Sequence, residues 1–331
     1  MVMTSIRIVG TGSCIPERIL TNHDLEKMVD TTDEWIVQRT GIRERRIADP
    51  DKNTSDLAEE ASTKALAEAG MTPEELDLII MATITPDTCC PAASNWLQGK
   101  LGARNAVSFD VTAACSGFLF GLSIAEQYMK SGQYKTALVV GAELLSRSTN
   151  WKDRTSCILW ADAAGAAVLS RSQQGAALMS THIHSDGTAG ESLLLPGGGS
   201  STTPITPDSA EKGVHLLRLT HANRTFKVAV KRFAEAIEEA AAHNGCGVSE
   251  IDVIIPHQAN LRILHAFTER LKIPKEKVFI NVDLYGNSSA ATVPLALDQA
   301  VRSGKIQSGN KVILTAFGGG LTWASAFVQW E

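Results

Sequence analysis

ELDLIIMATITPD (75–87), AVSFDVTAACSGFLFGLSIAEQYMKSG (106–132) and KTALVVGAELL (135–145) form one series, and EIDVIIPHQAN (250–260), VFINVDLYGNSSAATVPLALDQAVRSG (278–304) and NKVILTAFGGG (310–320) form a second in the same order. Each runs strand, helix-forming stretch, strand, a turn of small residues into a long apolar helix, then strand. Asp77 and Asp252 are 175 positions apart, and Val139 and Ile313 are 174 apart. A register kept this closely marks an internal duplication. The stretches 77–84, 137–141, 165–170, 252–256 and 311–316 are continuous apolar runs, the pattern of strands covered by helices on both faces. No charge occurs from Val111 to Ala125 or from Tyr285 to Leu297. Helices with such sequences are enclosed by protein on all sides. The expectation is an α/β fold of five layers, α-β-α-β-α. Two sheets enclose two buried helices, and amphipathic helices over 54–69 and 226–243 lie outside. Its halves are 1–175 and 176–331. Asn22 and Ser55 are read as N-caps, and Gly70 followed by Pro73 closes the 54–69 helix.

The chain has 331 residues, more than one ordinary domain needs, with 44% hydrophobic and 20% charged residues. That composition supports a large core and excludes long disorder. A net charge of −5 argues against a nucleic-acid binder. No uninterrupted apolar run is long enough for a membrane-spanning helix. The first residues read as a strand, so no signal peptide is expected. The six cysteines (14, 89, 90, 115, 157 and 246) are irregularly spaced, without the pattern of a zinc site or a disulfide framework. Free thiols and a cytoplasmic location follow. The segment 186–213, rich in Gly, Pro, Ser and Thr, is the most linker-like and is read as a loop near the junction of the halves.

Three residues are candidates for chemistry. Cys115, in DVTAACSGF, stands where a strand gives way to a buried helix. There the helix dipole favours a thiolate and a backbone N–H can receive an oxyanion. His257, in IIPHQANLRIL, follows a buried strand, at the end where open α/β sheets place ligands. Asn287, in YGNSSAA, is read at the position of the second half that Cys115 occupies in the first. Each has a plainer reading: a packed cysteine, a structural histidine, a turn asparagine. The duplication argues the other way, because a pseudo-twofold axis brings both helix starts to one cleft. Gly318, Gly319 and Gly320 allow close approach of backbone to a ligand. GTGSCIP (10–16) does not continue as a dinucleotide fingerprint. His182 and His184 read as strand residues without a metal partner; His215, His221, His243 and His265 read as surface residues.

VDTTDEWIVQRTGIRERR (29–46), DVTAACSGF (110–118), PHQANLRI (256–263), YGNSSAA (285–291) and AFGGGLTW (316–323) resemble, in order and at family spacing, the signature segments of β-ketoacyl-acyl-carrier-protein synthase III. The resemblance implies the thiolase fold and a condensing acyltransferase that initiates bacterial type II fatty-acid synthesis. By it, Cys115 takes an acyl group from acyl-CoA. His257 and Asn287 donate hydrogen bonds to the malonyl thioester oxygen as CO₂ leaves, and the N–H groups of Cys115 and Gly319 form the oxyanion hole. Trp35 and Arg154 sandwich the adenine of CoA, Arg39 and Thr40 lie near its phosphate, and Asn260 contacts pantetheine. Gln258, Ala259, Asn260, Leu261 and Arg262 meet the malonyl-acyl-carrier protein, with Lys227 and Arg270 as weaker candidates. The resemblance further implies a homodimer, with no metal and no cofactor beyond the CoA substrate.

Three positions depart from the family pattern. The chain-length gate, often a Phe supplied by the other subunit, corresponds to Cys90 in DTCCPAA (87–93). The stretch LTHANRTFKVAV (219–230) lacks the usual Met and Gly ahead of its Phe, and Glu269 replaces a common base. The alternatives are a related condensing enzyme of secondary metabolism or a specialised primer pathway, a non-catalytic subunit of the same fold, and a papain-like Cys-His-Asn hydrolase. The intact Cys, His and Asn oppose the second, and the duplicated α/β pattern opposes the third.

Overall fold

The computed structural model describes residues 5–171, 174–200, 205–220 and 222–331; His221 lies outside them. The first part of the chain contains β1 (Ile6–Cys14), β2 (Ile19–Thr21), α1 (Asn22–Glu26), α2 (Asp33–Thr40), β3 (Glu44–Arg46), α3 (Thr54–Ala69), β4 (Leu78–Ala82), α4 (Ala93–Leu101), β5 (Val107–Val111), α5 (Gly117–Lys130), β6 (Thr136–Leu144) and β7 (Asp162–Arg171). The rest contains β8 (Ala176–Ser185), β9 (Leu193–Leu194), α6 (Pro207–Glu211), β10 (Arg218–Leu219), α7 (Ala222–His243), β11 (Val253–Pro256), α8 (Leu261–Leu271), α9 (Val282–Tyr285), α10 (Thr292–Arg302), β12 (Lys311–Gly318) and β13 (Thr322–Gln329).

The apolar runs are strands, and they pair by one scheme twice. β5, β4 and β6 are parallel, and β7 and β1 follow antiparallel. β11 and β12 are parallel, and β13 and β8 follow antiparallel. The counterpart of β5 is reduced to a bridge between Ile254 and Val278. The expected two sheets are joined: β1 and β8 pair through Arg7 with Ala177 and Ile8 with Ala176, making one order of nine strands, β11-β12-β13-β8-β1-β7-β6-β4-β5. The pairing covers only these positions, so the sheet bends back on itself there. α5 packs on β4 and β6 on one side and on β8 and β13 on the other; α10 packs on β1 and β7 and on β11 and β12. With α3 outside one part and α7 outside the other, the five layers of the thiolase fold are present.

Between the two parts of the sheet lies a continuous apolar core, with Phe118, Leu122 and Met129 of α5 and Val293 and Leu297 of α10 against Ile80, Val139, Ile255 and Leu314. Each such side chain contributes roughly 1.5–3 kcal/mol when buried. The glycines of 10–16 serve packing. A Cβ at Gly10 would stand 2.2 Å from the Ala65 carbonyl oxygen, and one at Gly12 2.3 Å from that of Ala61, so β1 accepts α3 only because both are glycine. The N-caps differ from those expected. Thr21, not Asn22, caps α1 in a capping box with Asp24, and Asn53, not Ser55, is the cap residue of α3, its backbone N–H donating to the Asp56 carboxylate. The acidic partner at the third helical position selects these residues. Gly70 ends α3 in the left-handed region, as expected. No helix among the described residues is long and apolar enough to cross a membrane.

One close approach positions the site. A Cβ at Gly141 of β6 would stand 2.2 Å from the carbonyl oxygen of Ala290. Gly141→Ala should therefore push the 289–291 turn off β6 and destabilise the fold by about 1–3 kcal/mol. The expected reading is a lower urea midpoint with an unchanged slope; an unmoved midpoint would show that the turn is not pressed on β6.

Candidate active site

Cys115 lies in a single 3₁₀ turn, Ala114–Ser116, that leads into α5. Its counterpart is the turn Ser289–Ala291, which leads into α10. In both, the first residue is a non-glycine in the left-handed region: Ala114 has φ 45° and Ser289 φ 49°. Such residues are held there by their surroundings. The position equivalent to Cys115 is thus Ala290, which corrects the expected match with Asn287. Asn287 stands earlier, on the approach to the second turn. Gly286 before it has φ 62°, and a Cβ there would meet the Leu159 carbonyl oxygen at 3.1 Å. Against the first turn lies the end of β12, where a Cβ on Gly318 would stand 2.7 Å from the Cys115 nitrogen.

Cys115, His257 and Asn287 are all buried, and all line one cleft of about 450 Å³. Burial pushes the Cys115 thiol up to about 12, against the lowering effect of the Ser289 hydroxyl and the backbone N–H groups of Cys115 and Gly319. The thiolate expected from the helix dipole alone is therefore not the resting form, because desolvation outweighs the dipole. Burial drives His257 down to about 3, which keeps the imidazole neutral. Its Nδ1 lies 2.5 Å from the Thr292 hydroxyl, and its backbone N–H donates to the Thr315 carbonyl. Asn287 Oδ1 accepts the Ser289 N–H at 2.8 Å, which leaves the amide nitrogen to serve as donor in the cleft.

The mouth is formed by Trp35, Arg39, Thr40, Phe226, Asn260 and Arg262. The guanidinium carbons of Arg39 and Arg154 lie 4.4 and 4.5 Å from the Trp35 ring centroid. Arg154 thus rests on the indole, and no space for an interposed adenine exists between them in this conformation. Thr40 is buried, with its hydroxyl donating to Ile36 and accepting from Ile42, so it has no hydroxyl proton free for a phosphate. Asn260 caps α8 by accepting the Arg262 N–H, and it donates to the Arg39 carbonyl. Gln258 corrects the expected carrier-protein face. It is buried, donating to Pro256 and Phe279 and accepting from Asn281 and Val282, because its side chain ties together the loops behind the cleft. Arg262, Lys227 and Arg270 are exposed, and Ala259 and Leu261 are partly so. The linker-like segment reaches the cleft through Ser192 and Leu193. Cys90 is exposed and does not line the cleft of its own chain.

A sequence model for the C-terminal part of 3-oxoacyl-[acyl-carrier-protein] synthase III matches residues 241–330, and one for 3-oxoacyl-[acyl-carrier-protein] synthase III matches residues 109–187. The β-ketoacyl-[acyl-carrier-protein] synthase III of Caldanaerobacter subterraneus is 50% identical over 98% of this chain and 97% of its own. The chain belongs to the β-ketoacyl-acyl-carrier-protein synthase III family. The synthase III of Xanthomonas campestris is 49% identical over 98% of both chains. Among solved structures, the Aquifex aeolicus synthase III has a TM-score of 0.91 at 42% identity, covering 98% of this chain and 100% of its own. The priming β-ketosynthase of the R1128 polyketide pathway has 0.92 at 36%, covering 99% and 97%. Family membership makes this chain a condensing acyltransferase.

Four residues of this synthase site escaped the sequence reading. Arg45, fully buried, donates to the carbonyls of Leu20 and Ile158 and to Asn22, tying the β2–β3 hairpin to the cleft wall. Thr292 and Ser289 look like ordinary helix-start residues until the fold sets them against His257 and Cys115. Glu143 is fully buried in β6, and its signal was legible: a lone carboxylate in the apolar run ALVVGAELL.

A neutral His257 has a direct test. Side-chain ¹⁵N resonances of the folded synthase should show no protonation of this ring between about pH 5 and 8, where an ordinary histidine titrates. A titration near pH 6.5 would contradict the burial that holds it down.

Proposed function

We propose that this chain catalyses decarboxylative Claisen condensation of an acyl-CoA primer with malonyl-acyl-carrier protein, giving 3-oxoacyl-acyl-carrier protein, CoA and CO₂. This would be the first condensation of type II fatty-acid synthesis. The observation that carries the reading is the meeting of Cys115, His257 and Asn287 at the floor of one cleft whose mouth holds Trp35 and basic residues.

Cys115 attacks the primer thioester, and the N–H groups of Cys115 and Gly319, both directed at the thiol region, receive the oxyanion. The malonyl thioester then takes the place of CoA. Its oxygen accepts hydrogen bonds from the Asn287 amide and His257 Nε2 while the carboxylate departs as CO₂. A neutral imidazole offers Nε2–H only if Nδ1 accepts. The Thr292 hydroxyl lies 2.5 Å from Nδ1 and 3.0 Å from the Ser289 carbonyl oxygen, so its one proton has two acceptors; the proposed step uses the arrangement in which it donates to Nδ1. Trp35, Arg39 and Arg154 form the CoA entrance, with Arg154 swinging off the indole to admit the adenine; Thr40 and Asn260 shape that entrance more than they bind. Arg262, flanked by Ala259 and Leu261, faces the acidic carrier protein, with Lys227 and Arg270 beside it.

The same reading makes 1–175 and 176–331 duplicated halves, supported by the two matching turns. It makes the enzyme a cytoplasmic homodimer without metal or cofactor. Among the described residues β5 pairs only with β4, and its open edge stands near exposed Val107, Trp96 and Tyr128, a surface suited to pairing with a second copy. A second reading, a condensing enzyme primed with larger acyl groups, is favoured by Cys90 where the family often has Phe.

The half-reactions separate the roles. Cys115 should gain the acyl mass from acyl-CoA alone, and Cys115→Ala should abolish labelling. His257→Ala and Asn287→Ala should slow malonyl decarboxylation by about 10²–10³-fold, with acyl transfer far less affected. Equal losses in both steps would refute this division. Cys90→Phe should narrow primer choice toward acetyl-CoA when acetyl-, butyryl-, isobutyryl- and hexanoyl-CoA are compared. Each methylene now accepted contributes about 0.8 kcal/mol; strict acetyl preference in both proteins would show that Cys90 is not the gate.

A further inference from the structure

Glu143 is a buried carboxylate that the mechanism above does not use. It lies on β6, two residues beyond Gly141 and on the same face, the face against which the 289–291 turn is pressed. Its oxygens accept from the Thr83 hydroxyl at 3.1 Å, the Ile84 N–H at 3.1 Å and the Thr85 hydroxyl at 2.6 Å. The Ser289 hydroxyl is buried and forms no hydrogen bond among the described residues, and it lies close enough to the Glu143 carboxyl and the Cys115 thiol to act on the acidity of both.

We propose that Glu143, acting through Ser289, holds the proton of Cys115 between the two half-reactions. The inference rests on the condensing reaction proposed above. In acylation, the Cys115 thiol proton passes to Ser289 Oγ as the Ser289 proton passes to the Glu143 carboxylate. The sulfur forms a bond to the primer carbonyl carbon, and the bond to the CoA sulfur breaks. CoA leaves with that electron pair and takes its proton from water. In condensation, the bond to the departing CO₂ supplies the electron pair that attacks the acyl carbon. The bond to Cys115 breaks, and its sulfur recovers the proton from Glu143 through Ser289. One proton is drawn from water per turnover, as the overall reaction requires. In this relay Ser289 is the group that exchanges a proton with the reacting thiol, and Glu143 acts through it.

Burial raises the Glu143 carboxyl to about 7, in the range where a group can both take up and return a proton near neutrality. Its surroundings leave Cys115 as the titratable group facing it. Of the elements packed on β6, β4 and the 289–291 turn carry no ionisable side chain. The carboxylates of α3 are engaged elsewhere or partly exposed: Asp56 with Lys100, Glu60 with Lys64, Glu68 with Thr11, and Glu59 half-buried. On α5, Glu126 accepts from Thr181 and pairs with Lys130. On α10, Asp298 takes Thr11 and Ser13 and pairs with Arg302, while Asp162 of β7 is held by Ser146 and Ala48.

The test is the acylation half-reaction alone, read as the burst of CoA released on mixing enzyme with acyl-CoA. In the wild type the rate should fall below about pH 7, because a protonated Glu143 cannot accept the proton. Glu143→Gln and Ser289→Ala should each slow the burst by about 10²-fold and remove that limb of the profile. A second measurement needs no variant. Difference infrared spectroscopy of wild type labelled with ¹³C-glutamate, at about pH 8.5, where a group of pKa near 7 is ionised, should show a protonated carboxyl band on acylation that vanishes when malonyl-carrier protein is added. An acyl-enzyme formed without that band, or an unchanged pH profile in Glu143→Gln, overturns the relay. Absence of any wild-type burst would instead overturn the proposed reaction.

Discussion

The structure depends on a contact between backbones with no room for a side chain. The turn that starts α10 lies on Gly141, and the turn that starts α5 lies against Gly318; at either glycine one added carbon would stand within 2.7 Å of a main-chain atom. These contacts bring the starts of the two buried helices together between the sheet layers. They also fix Ala114 and Ser289 in a left-handed conformation that neither residue favours alone. The strain is small beside the apolar core that α5 and α10 share, and that core holds it in place.

The same enclosure governs the chemistry. Desolvation raises Cys115 and Glu143 and lowers His257, so each is displaced toward its neutral form in the closed cleft. A site of neutral groups does little to water. Under the proposed condensation it gains its power when a thioester brings developing negative charge into a place already lined with N–H donors. The ionisation that matters is thus coupled to the substrate and is not a property of the resting thiol.

The entrance is built differently from the floor. Around Cys115 the polar side chains of His257, Asn287 and Ser289 are buried, whereas at the mouth Arg39, Arg154 and Arg262 remain on or near the surface. Long cationic side chains resting on an aromatic ring can be displaced at little cost, which suits an entrance that admits one large substrate and then a second. Buried Arg45 marks the boundary. Among the described residues it pairs with no carboxylate; carbonyls hold it on both sides, so it braces the wall of the cleft.

The pattern of apolar runs, repeated at a nearly constant offset, was enough to determine the layered α/β fold, the buried helices and the candidacy of Cys115, His257 and Asn287. Strand and helix periodicity are local, and a duplication preserves them in both halves. The local capping chemistry of Thr21 and Asn53 was also present in the sequence, in their acidic partners three residues on. Tertiary structure alone decided the rest. It turned Gln258 inward from the face where its neighbours pointed, joined two expected sheets through β1 and β8, matched Cys115 to Ala290 in place of Asn287, and set Glu143 and Ser289 against the thiol. Those outcomes depend on which backbone can approach which, and on how much water is excluded when it does. Neither quantity exists until the chain has closed around the cleft.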